Sequence, residues 1–122
     1  MATTKTFIGR TKEGRRILRW VETSAADTLL AVSVPGGSGR RVVQVSASYS
    51  AAPTQAGVTT EIDSGAGAAY DATFNTGSAN ARYTNYQPTT PLVLGNDDAL
   101  RVTAPAGGGV ITSSIVVITE DL

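Results

Sequence analysis

Alternating apolar and polar residues run through much of this chain and predict short β-strands. The clearest segment is 41–50, in which Val43, Val45, Ala47 and Tyr49 point to one side while glutamine and serine point to the other. One dry face and one wet face are typical of a strand in an antiparallel sheet that covers a core on one side only. The segment therefore predicts part of a β-sandwich.

Other segments repeat this period, and none of them predicts a helix. Residues 15–22 place Leu18 and Trp20 on one face, and every long helical candidate is interrupted by Gly, Pro or a β-branched run. The sequence predicts an all-β fold of about eight short strands, arranged as an antiparallel β-sandwich or a jelly-roll-like domain. The strand predictions besides 41–50 are 15–22, 26–34, 58–62, 70–74, 81–87, 100–104 and 110–119, and 92–94 is a brief apolar piece.

The stretch from Asp97 to Glu120 is the part around which the chain is organised. Segment 100–104 alternates, Pro105 and the glycines after it break the run, and 110–119 is the longest β-branched segment. Both faces of that last segment become apolar in its second half, which suits a strand at the centre of a sandwich or at a subunit contact. Gly reaches positive φ and Pro needs no ladder N–H, so this connection predicts a hairpin, as does PGGSG at 35–39.

The first 14 residues predict an extended arm. They are polar apart from the pair Phe7 and Ile8, and a turn signal at 12–14 separates them from the first strand. We expect residues 1–14 to cross the sandwich or reach a partner, and residues 15–122 to form a single β-sandwich domain. A chain of 122 residues fits one domain of this kind.

Two residue types are missing from the composition, and their absence narrows the chemistry. The chain has no Cys and no His, so it offers no disulfide or thiolate metal site and lacks the commonest general base. Serine is plentiful, but almost nothing is present to activate it as a nucleophile. The glycine clusters lack the spacing of phosphate-binding loops. We expect no catalytic residue, no metal site and no cofactor, and the sequence does not predict an enzyme.

Two pairs of carboxylates are the remaining candidates for chemistry. Glu61 and Asp63 would share one face of a strand about 7 Å apart, and paired carboxylates serve glycoside hydrolysis. Asp97 and Asp98 could contribute to calcium binding, but no EF-hand spacing accompanies them. A solvent-facing strand and a turn are the simpler interpretations of the two pairs.

Charge is balanced overall but unevenly distributed. Ten Lys and Arg match ten Asp and Glu, yet residues 1–22 have a surplus of four positive charges and residues 42–122 a surplus of five negative ones. Such polarity suits a basic arm that docks on an acidic surface, including that of a neighbouring copy, or a solvated face. Arginines near Trp20 could bind phosphate and stack a base, but overall neutrality disfavours a dedicated nucleic-acid binder.

Four tyrosines leave a carbohydrate-binding alternative open. Tyr49, Tyr70, Tyr83 and Tyr86 could stack on sugars, although tyrosines in strands more often lie at the edge of a core or at a subunit contact.

Membrane and export signals are not evident in the sequence. No segment approaches the roughly 18 apolar residues of a spanning helix, and residues 1–10 lack the apolar run of a signal peptide. We expect a protein made in the cytoplasm, with no membrane partner and no export by the usual route.

The C-terminal quarter of the chain resembles a known class of proteins. A turn with Gly and Asp, then LRVTAPAGGGV, then a β-rich strand ending in ITEDL is similar to the C-terminal hairpin of small all-β virion proteins from tailed double-stranded DNA bacteriophages. These include capsid decoration (cement) proteins and some tail-associated sandwiches. The resemblance covers roughly residues 91–122 and does not extend to the best-known trimeric cement proteins.

The resemblance implies a structural role in the virion. The expected function is a capsid decoration protein that stabilises the head, and the alternative is a tail or baseplate sandwich that binds a host glycan. Expected partners are the major capsid protein or other virion proteins and further copies of the chain, with a homotrimer favoured by analogy. The residues expected to make the contacts are Phe7, Ile8, Arg10, Arg15, Arg16, Arg19 and Trp20.

Overall fold

A computed structural model describes residues 3–54, 57–90 and 92–122 of the chain. Within these residues it contains ten β-strands and one short 3-10 helix, so the all-β prediction is confirmed with ten strands rather than eight. The strands are β1 (Thr4–Arg10), β2 (Arg16–Thr23), β3 (Leu30–Pro35), β4 (Arg40–Tyr49), β5 (Thr59–Asp63), β6 (Ala72–Thr76), β7 (Tyr83–Tyr86), β8 (Leu92–Leu94), β9 (Ala99–Ala104) and β10 (Ser113–Asp121); the 3-10 helix is Ala68–Tyr70.

The strands form two antiparallel sheets. The six-stranded sheet has the order β1-β2-β10-β4-β7, with β8 also paired to β4, and the four-stranded sheet has the order β3-β9-β5-β6. Four strands of the first half of the chain pair with strands of the second half: β2 with β10, β3 with β9, β4 with β8 and β5 with β6. The chain thus follows one long hairpin that is folded into two layers. This is the jelly-roll arrangement, here with β1 added beside β2.

The core lies between the two sheets and is built from the alternate residues of their strands. On β10, Ile115 and Val117 are fully buried and face β3 and β9, as the period of that segment predicts. On β9, Leu100 and Val102 are fully buried in the same way. Burial of this apolar surface, at about 25 cal/mol for each Å² removed from water, is the main force that holds the layers together.

Strand β4 contains a bulge that changes which valine is buried. Thr119 of β10 pairs with Val42 whereas the preceding Ile118 pairs with Gln44, so Val43 is one residue more than β10 can match. A bulge of this kind reverses the alternation locally. The prediction for Val43 is therefore wrong: Val43 is 40% exposed, and Val42 is buried in its place.

Both Pro–Gly clusters cross between the sheets, and the two hairpin predictions are wrong. β9 belongs to the four-stranded sheet and β10 to the six-stranded sheet, and β3 and β4 are divided in the same way. The glycines allow close packing at these corners. A Cβ atom on Gly36 would lie 1.9 Å from the carbonyl oxygen of Gly95, so no other residue fits there without a backbone shift.

Residues 4–10 of the predicted arm are extended and form the edge strand β1. They pair with β2 through a tight turn in which Thr11 N–H donates to the Arg15 carbonyl and Gly14 adopts φ 82°. The first two residues of the predicted arm lie outside the described residues. The described part of the arm is thus continuous with the six-stranded sheet rather than separate from the sandwich.

Four strands start two or more residues later than predicted. The 26–34 segment becomes a strand only at Leu30, the 70–74 segment at Ala72, the 81–87 segment at Tyr83 and the 110–119 segment at Ser113. Several residues before these starts lie in turns or in the 3-10 helix, and Val110 is exposed. The predicted strands begin too early because they include residues that have no partner in a neighbouring strand.

Candidate assembly surface

One free edge of the six-stranded sheet is β1, whose outer side has no partner strand among the described residues. Phe7 pairs with Leu18, and because directly opposed residues share a face of the sheet, the Phe7 side chain points to the same side as the core. Phe7 is nevertheless 52% exposed. The four-stranded sheet ends at β3, which packs against β2, so β1 extends beyond the layer that would cover it.

Next to Phe7, a bulge places a second apolar side chain at the edge. The pairing with β2 shifts between Phe7 and Gly9, which leaves Ile8 unpaired and 49% exposed. The guanidinium of Arg10 lies 5.5 Å from the centre of the Phe7 ring, within range of a cation–π contact. The edge thus presents two adjacent apolar side chains beside a cation.

Trp20 lies in the core rather than on the contact surface to which the sequence assigns it. It is 7% exposed, and its indole N–H donates a hydrogen bond of 2.9 Å to the Thr119 hydroxyl. The guanidinium of Arg40 lies 4.9 Å from the ring centre. Trp20 could meet a partner only if the sandwich opened, so it is removed from the expected contact residues.

Asp121, near the end of β10, holds two arginines from neighbouring strands. Arg16 of β2 donates to it at 2.7 Å and Arg40 of β4 at 3.0 Å. Burial alone would raise the pKa of the Asp121 carboxyl, but the hydrogen bonds from the two guanidiniums outweigh it and hold the pKa below its ordinary value. The carboxylate therefore ties together the ends of three adjacent strands.

Glu120 does the same on the opposite face of β10. Its side chain is buried, lies 3.4 Å from the guanidinium of Arg15 and also accepts a hydrogen bond from Arg41. The sequence singles out Arg15 and Arg16 for a partner, whereas in the structure both contact carboxylates of their own chain. Arg41 and its neighbour Arg40 were not identified from sequence, because only the pairing of β4 with β10 brings them to this end.

Between the β1–β2 turn and the loop after β3 lies an open cleft of about 520 Å³. We call it the basic cleft. Four of the residues that line it are arginines, and the walls also include Asp121 and the glycine-rich loop 37–39. Its arginines are Arg10, Arg15, Arg16 and Arg40.

The expected contact residues therefore divide into four places. Phe7 and Ile8 lie on the β1 edge, the arginines at 10, 15 and 16 line the basic cleft, and Arg19 is exposed on the outer face of the six-stranded sheet, opposite Ile118. Trp20 lies in the core. The edge and the cleft are neighbours, because Arg10 of the cleft lies beside the ring of Phe7.

The paired carboxylates on β5 surround an arginine. Arg101 of β9 donates to Glu61 at 2.6 Å, and its guanidinium also lies 3.7 Å from Asp63 and 3.9 Å from Asp71. The hydrogen bond with Glu61 is the main cause that raises the pKa of Arg101. The two carboxylates of the predicted pair are thus part of an ion-pair cluster around Arg101.

Tyr83 is the most accessible aromatic side chain on the outer face of the six-stranded sheet. It is 69% exposed and borders a shallow depression of about 370 Å³ whose other walls include Ser48, Asn85 and Ser114. Tyr86 instead packs against the core. The remaining two are Tyr70, exposed in the 3-10 helix, and Tyr49, whose hydroxyl donates to the Pro105 carbonyl and whose pKa is raised by burial.

The described part of the chain contains neither a metal-binding cluster nor a membrane-spanning helix. No three His, Cys, Asp or Glu side chains there are placed so that they could ligate a metal ion. Within the same ranges, no helix has the length and apolar character needed to cross a membrane.

Comparisons with protein-family models and with curated proteins find no match for this chain. A function therefore has to be argued from the residues and geometry described above.

Proposed function

We propose that this chain is a virion structural protein of a tailed double-stranded DNA bacteriophage, and specifically a capsid decoration protein that stabilises the head. The resemblance of residues 91–122 to such proteins and the jelly-roll strand order both support this assignment. Jelly rolls occur in viral capsid proteins, in lectins and in cupins, so the fold is compatible with the proposal but does not single it out.

The observation that carries the proposal is the free edge of β1 with its exposed pair Phe7 and Ile8. An edge strand has unpaired N–H and C=O groups that can accept a strand from another protein. Two apolar side chains at the same place add surface that is buried on contact. The partner in this proposal is the major capsid protein or another virion protein, together with further copies of the chain; a trimer is favoured by analogy.

Co-sedimentation with undecorated heads of the cognate phage tests the proposal. The variant Phe7→Ser/Ile8→Ser removes both exposed apolar groups, and the control Val110→Ser removes an apolar side chain that is exposed at the other end of the sandwich. We expect saturating, symmetric occupancy for the native protein and the control, and at least tenfold weaker binding for the double variant. Full occupancy by the double variant would reject β1 as the attachment edge, and no binding by the native protein would reject the decoration role.

The exposed position of Tyr83 favours one alternative, a tail or baseplate protein that binds a host glycan. An aromatic ring beside a polar depression with Ser48 and Asn85 is suited to stacking on a sugar and bonding its hydroxyls. A glycan array would show selective binding that Tyr83→Ala abolishes and Tyr70→Ala retains, since Tyr70 is equally exposed on another part of the surface. An array without selective binding rejects this alternative.

A further inference from the structure

The basic cleft belongs to an end of the sandwich that has an excess of positive charge. Six cationic side chains meet there with three carboxylates, which leaves a surplus of three positive charges. Glu120 and Asp121 are each shared between two arginines. Two carboxylates therefore balance four guanidiniums, and positive charge remains. The cations are Arg10, Lys12, Arg15, Arg16, Arg40 and Arg41, and the carboxylates are Glu13, Glu120 and Asp121.

Donors in this cleft remain available to an external acceptor. Among the described residues, the side chain of Arg10 makes one hydrogen bond, to the Gly14 carbonyl, and the side chain of Arg15 makes only the 3.4 Å contact with Glu120. In the described part of the chain, the main-chain N–H groups of Gly37 and Ser38, which line the same cleft, donate to no protein acceptor. A carboxylate that entered the cleft could therefore bind guanidinium and backbone donors together.

An acidic cluster lies at the same end of the molecule but on its opposite side. Five carboxylates there are accompanied by one arginine, which leaves a surplus of four negative charges. Asp97 is exposed and its side chain makes no hydrogen bond among the described residues. The members of the acidic cluster are Glu61, Asp63, Asp71, Asp97 and Asp98, with Arg101 at its centre.

Strand order fixes the two charged regions at the two sides of that end. The basic cleft belongs to β1 and β2, at one edge of the six-stranded sheet, and is bounded by the loop after β3; the acidic cluster lies on β5 and β9 of the other sheet and in the loops before β6 and β9. The loop at 36–39 and the loop at 95–98 connect the two regions. Gly36 N–H donates to the Asp98 carbonyl, and the side chain of Asp98 accepts from Gly65 N–H, so the loops follow each other across the end.

We propose that the basic cleft binds the acidic cluster of a second copy of this chain, so that copies associate side by side and head to tail. When a second copy lies beside the first in the same orientation, the basic cleft of one copy faces the acidic cluster of the other. A twofold axis that passes through the centre of either region would instead bring like charges together, which is unfavourable. Repeated head-to-tail contacts form a closed ring when the rotation between neighbours closes. This contact would join copies of the proposed virion protein. Its biological role rests on the proposed function, whereas the contact itself does not.

Charge reversal in the purified protein tests the contact without any phage head. Arg10→Glu and Asp97→Lys each place like charges across the proposed contact, and the double variant Arg10→Glu/Asp97→Lys restores opposite charges with their signs exchanged. Arg19→Glu is the matched control, because it makes the same charge change on the outer face of the six-stranded sheet. Association is measured by light scattering and sedimentation velocity at about 50 mM and 500 mM salt, with circular dichroism to check folding.

We expect oligomers for the native protein and for Arg19→Glu, at least tenfold weaker association for each single reversal, and recovery in the double variant. Association should weaken about tenfold or more at the higher salt concentration, since contacts at the surface are screened. A monomer at all concentrations, oligomers that ignore both reversals, or a double variant that fails to recover would each overturn the inference. Binding of inorganic phosphate in the basic cleft, by a protein that stays monomeric, would also overturn the inference.

The two proposals fail separately in these experiments. Oligomers with the expected charge dependence that do not co-sediment with heads would reject the decoration role and leave the contact intact. Head binding by a protein that remains monomeric in solution and binds equally well with Arg10→Glu or Asp97→Lys would reject the contact and leave the decoration role intact.

Discussion

Trp20 of β2 and Thr119 of β10 are joined in the core by a hydrogen bond of 2.9 Å from the indole N–H to the hydroxyl oxygen. Thr119 is fully buried, so this bond replaces the water that both groups would otherwise need. It explains why the single tryptophan and a polar residue can occupy the same apolar layer. A second contact, from Arg40, covers the face of the ring.

Removing either partner of this bond should destabilise the protein. Thr119→Val leaves the indole N–H buried without an acceptor, and Trp20→Phe removes the donor and part of the ring, so we expect a loss of about 1–3 kcal/mol in each case. Because the two residues share one interaction, the double variant should lose less than the sum of the single losses. Urea unfolding measures all three; strictly additive losses would contradict the coupling.

The β4 bulge predicts that two neighbouring valines respond differently to the same substitution. Val45→Thr places a hydroxyl in the core and should cost about 1–3 kcal/mol, whereas Val43→Thr changes an exposed position and should lie within about 0.5 kcal/mol of the native protein. Thermal unfolding of the two variants measures the difference. Equal losses would mean that the alternation continues through β4 without a bulge.

Gly36→Ala should be one of the most damaging small substitutions in the chain. The added methyl group would lie 1.9 Å from the backbone oxygen of Gly95, which is not a flexible side chain and cannot move aside alone. We expect a loss of about 3 kcal/mol or more. Gly95→Ala is the control, because its methyl group would meet the movable carboxylate of Asp98 at 3.1 Å. The melting temperatures of the two variants should differ clearly, with Gly36→Ala much the lower.

The Asp121 carboxylate should make stability depend on pH in the acid range. Its native pKa lies below its ordinary value, so its contribution is complete above the unfolded pKa of about 3.9 and is lost as the pH falls through the native pKa. Asp121→Asn should therefore cost about 1 kcal/mol at pH 7 and progressively less as the pH falls below the unfolded pKa. Unfolding curves at several pH values test this, with Asp97→Asn as the control; a cost that persists at the lowest pH would contradict it.

Arg101 should stabilise the protein through charge rather than packing. Arg101→Met keeps most of the aliphatic stem but leaves Glu61, Asp63 and Asp71 without their shared cation. We expect a lower melting temperature at low salt and recovery at about 0.5 M salt, because repulsion between exposed carboxylates is screened. Salt-dependent melting measures this, and a deficit that salt does not reduce would show that Arg101 acts through packing.

Local periodicity was sufficient to predict most of the strands and most of the core. Leu18, Val45, Val102, Ile115 and Val117 are all buried on the faces that their spacing indicates. The alternation of side chains is a property of each strand alone, so it can be read without knowing the partners of that strand.

The partners of each strand could not be predicted in this way. The connection after Pro105 looks like a hairpin because glycine and proline permit one, yet whether the chain turns back in its own layer or crosses to the other depends on contacts far away in sequence. The bulge at Val43 arises from pairing with β10, about 75 residues later. For the same reason the carboxylates at 120 and 121 were not recognised as partners of the arginines on β2 and β4.

The position of β10 has a consequence for how the chain is made. β10 is synthesised after the other nine described strands, and it lies between β2 and β4, so neither of these can complete its pairing until β10 has been made. Until then both strands have open edges that could pair with other nascent chains. Trp20 pairs with Val117, so the sheet closes through contacts between residues that are far apart in sequence, which is typical of slow folding. The sandwich should therefore complete its fold only after β10 has been synthesised.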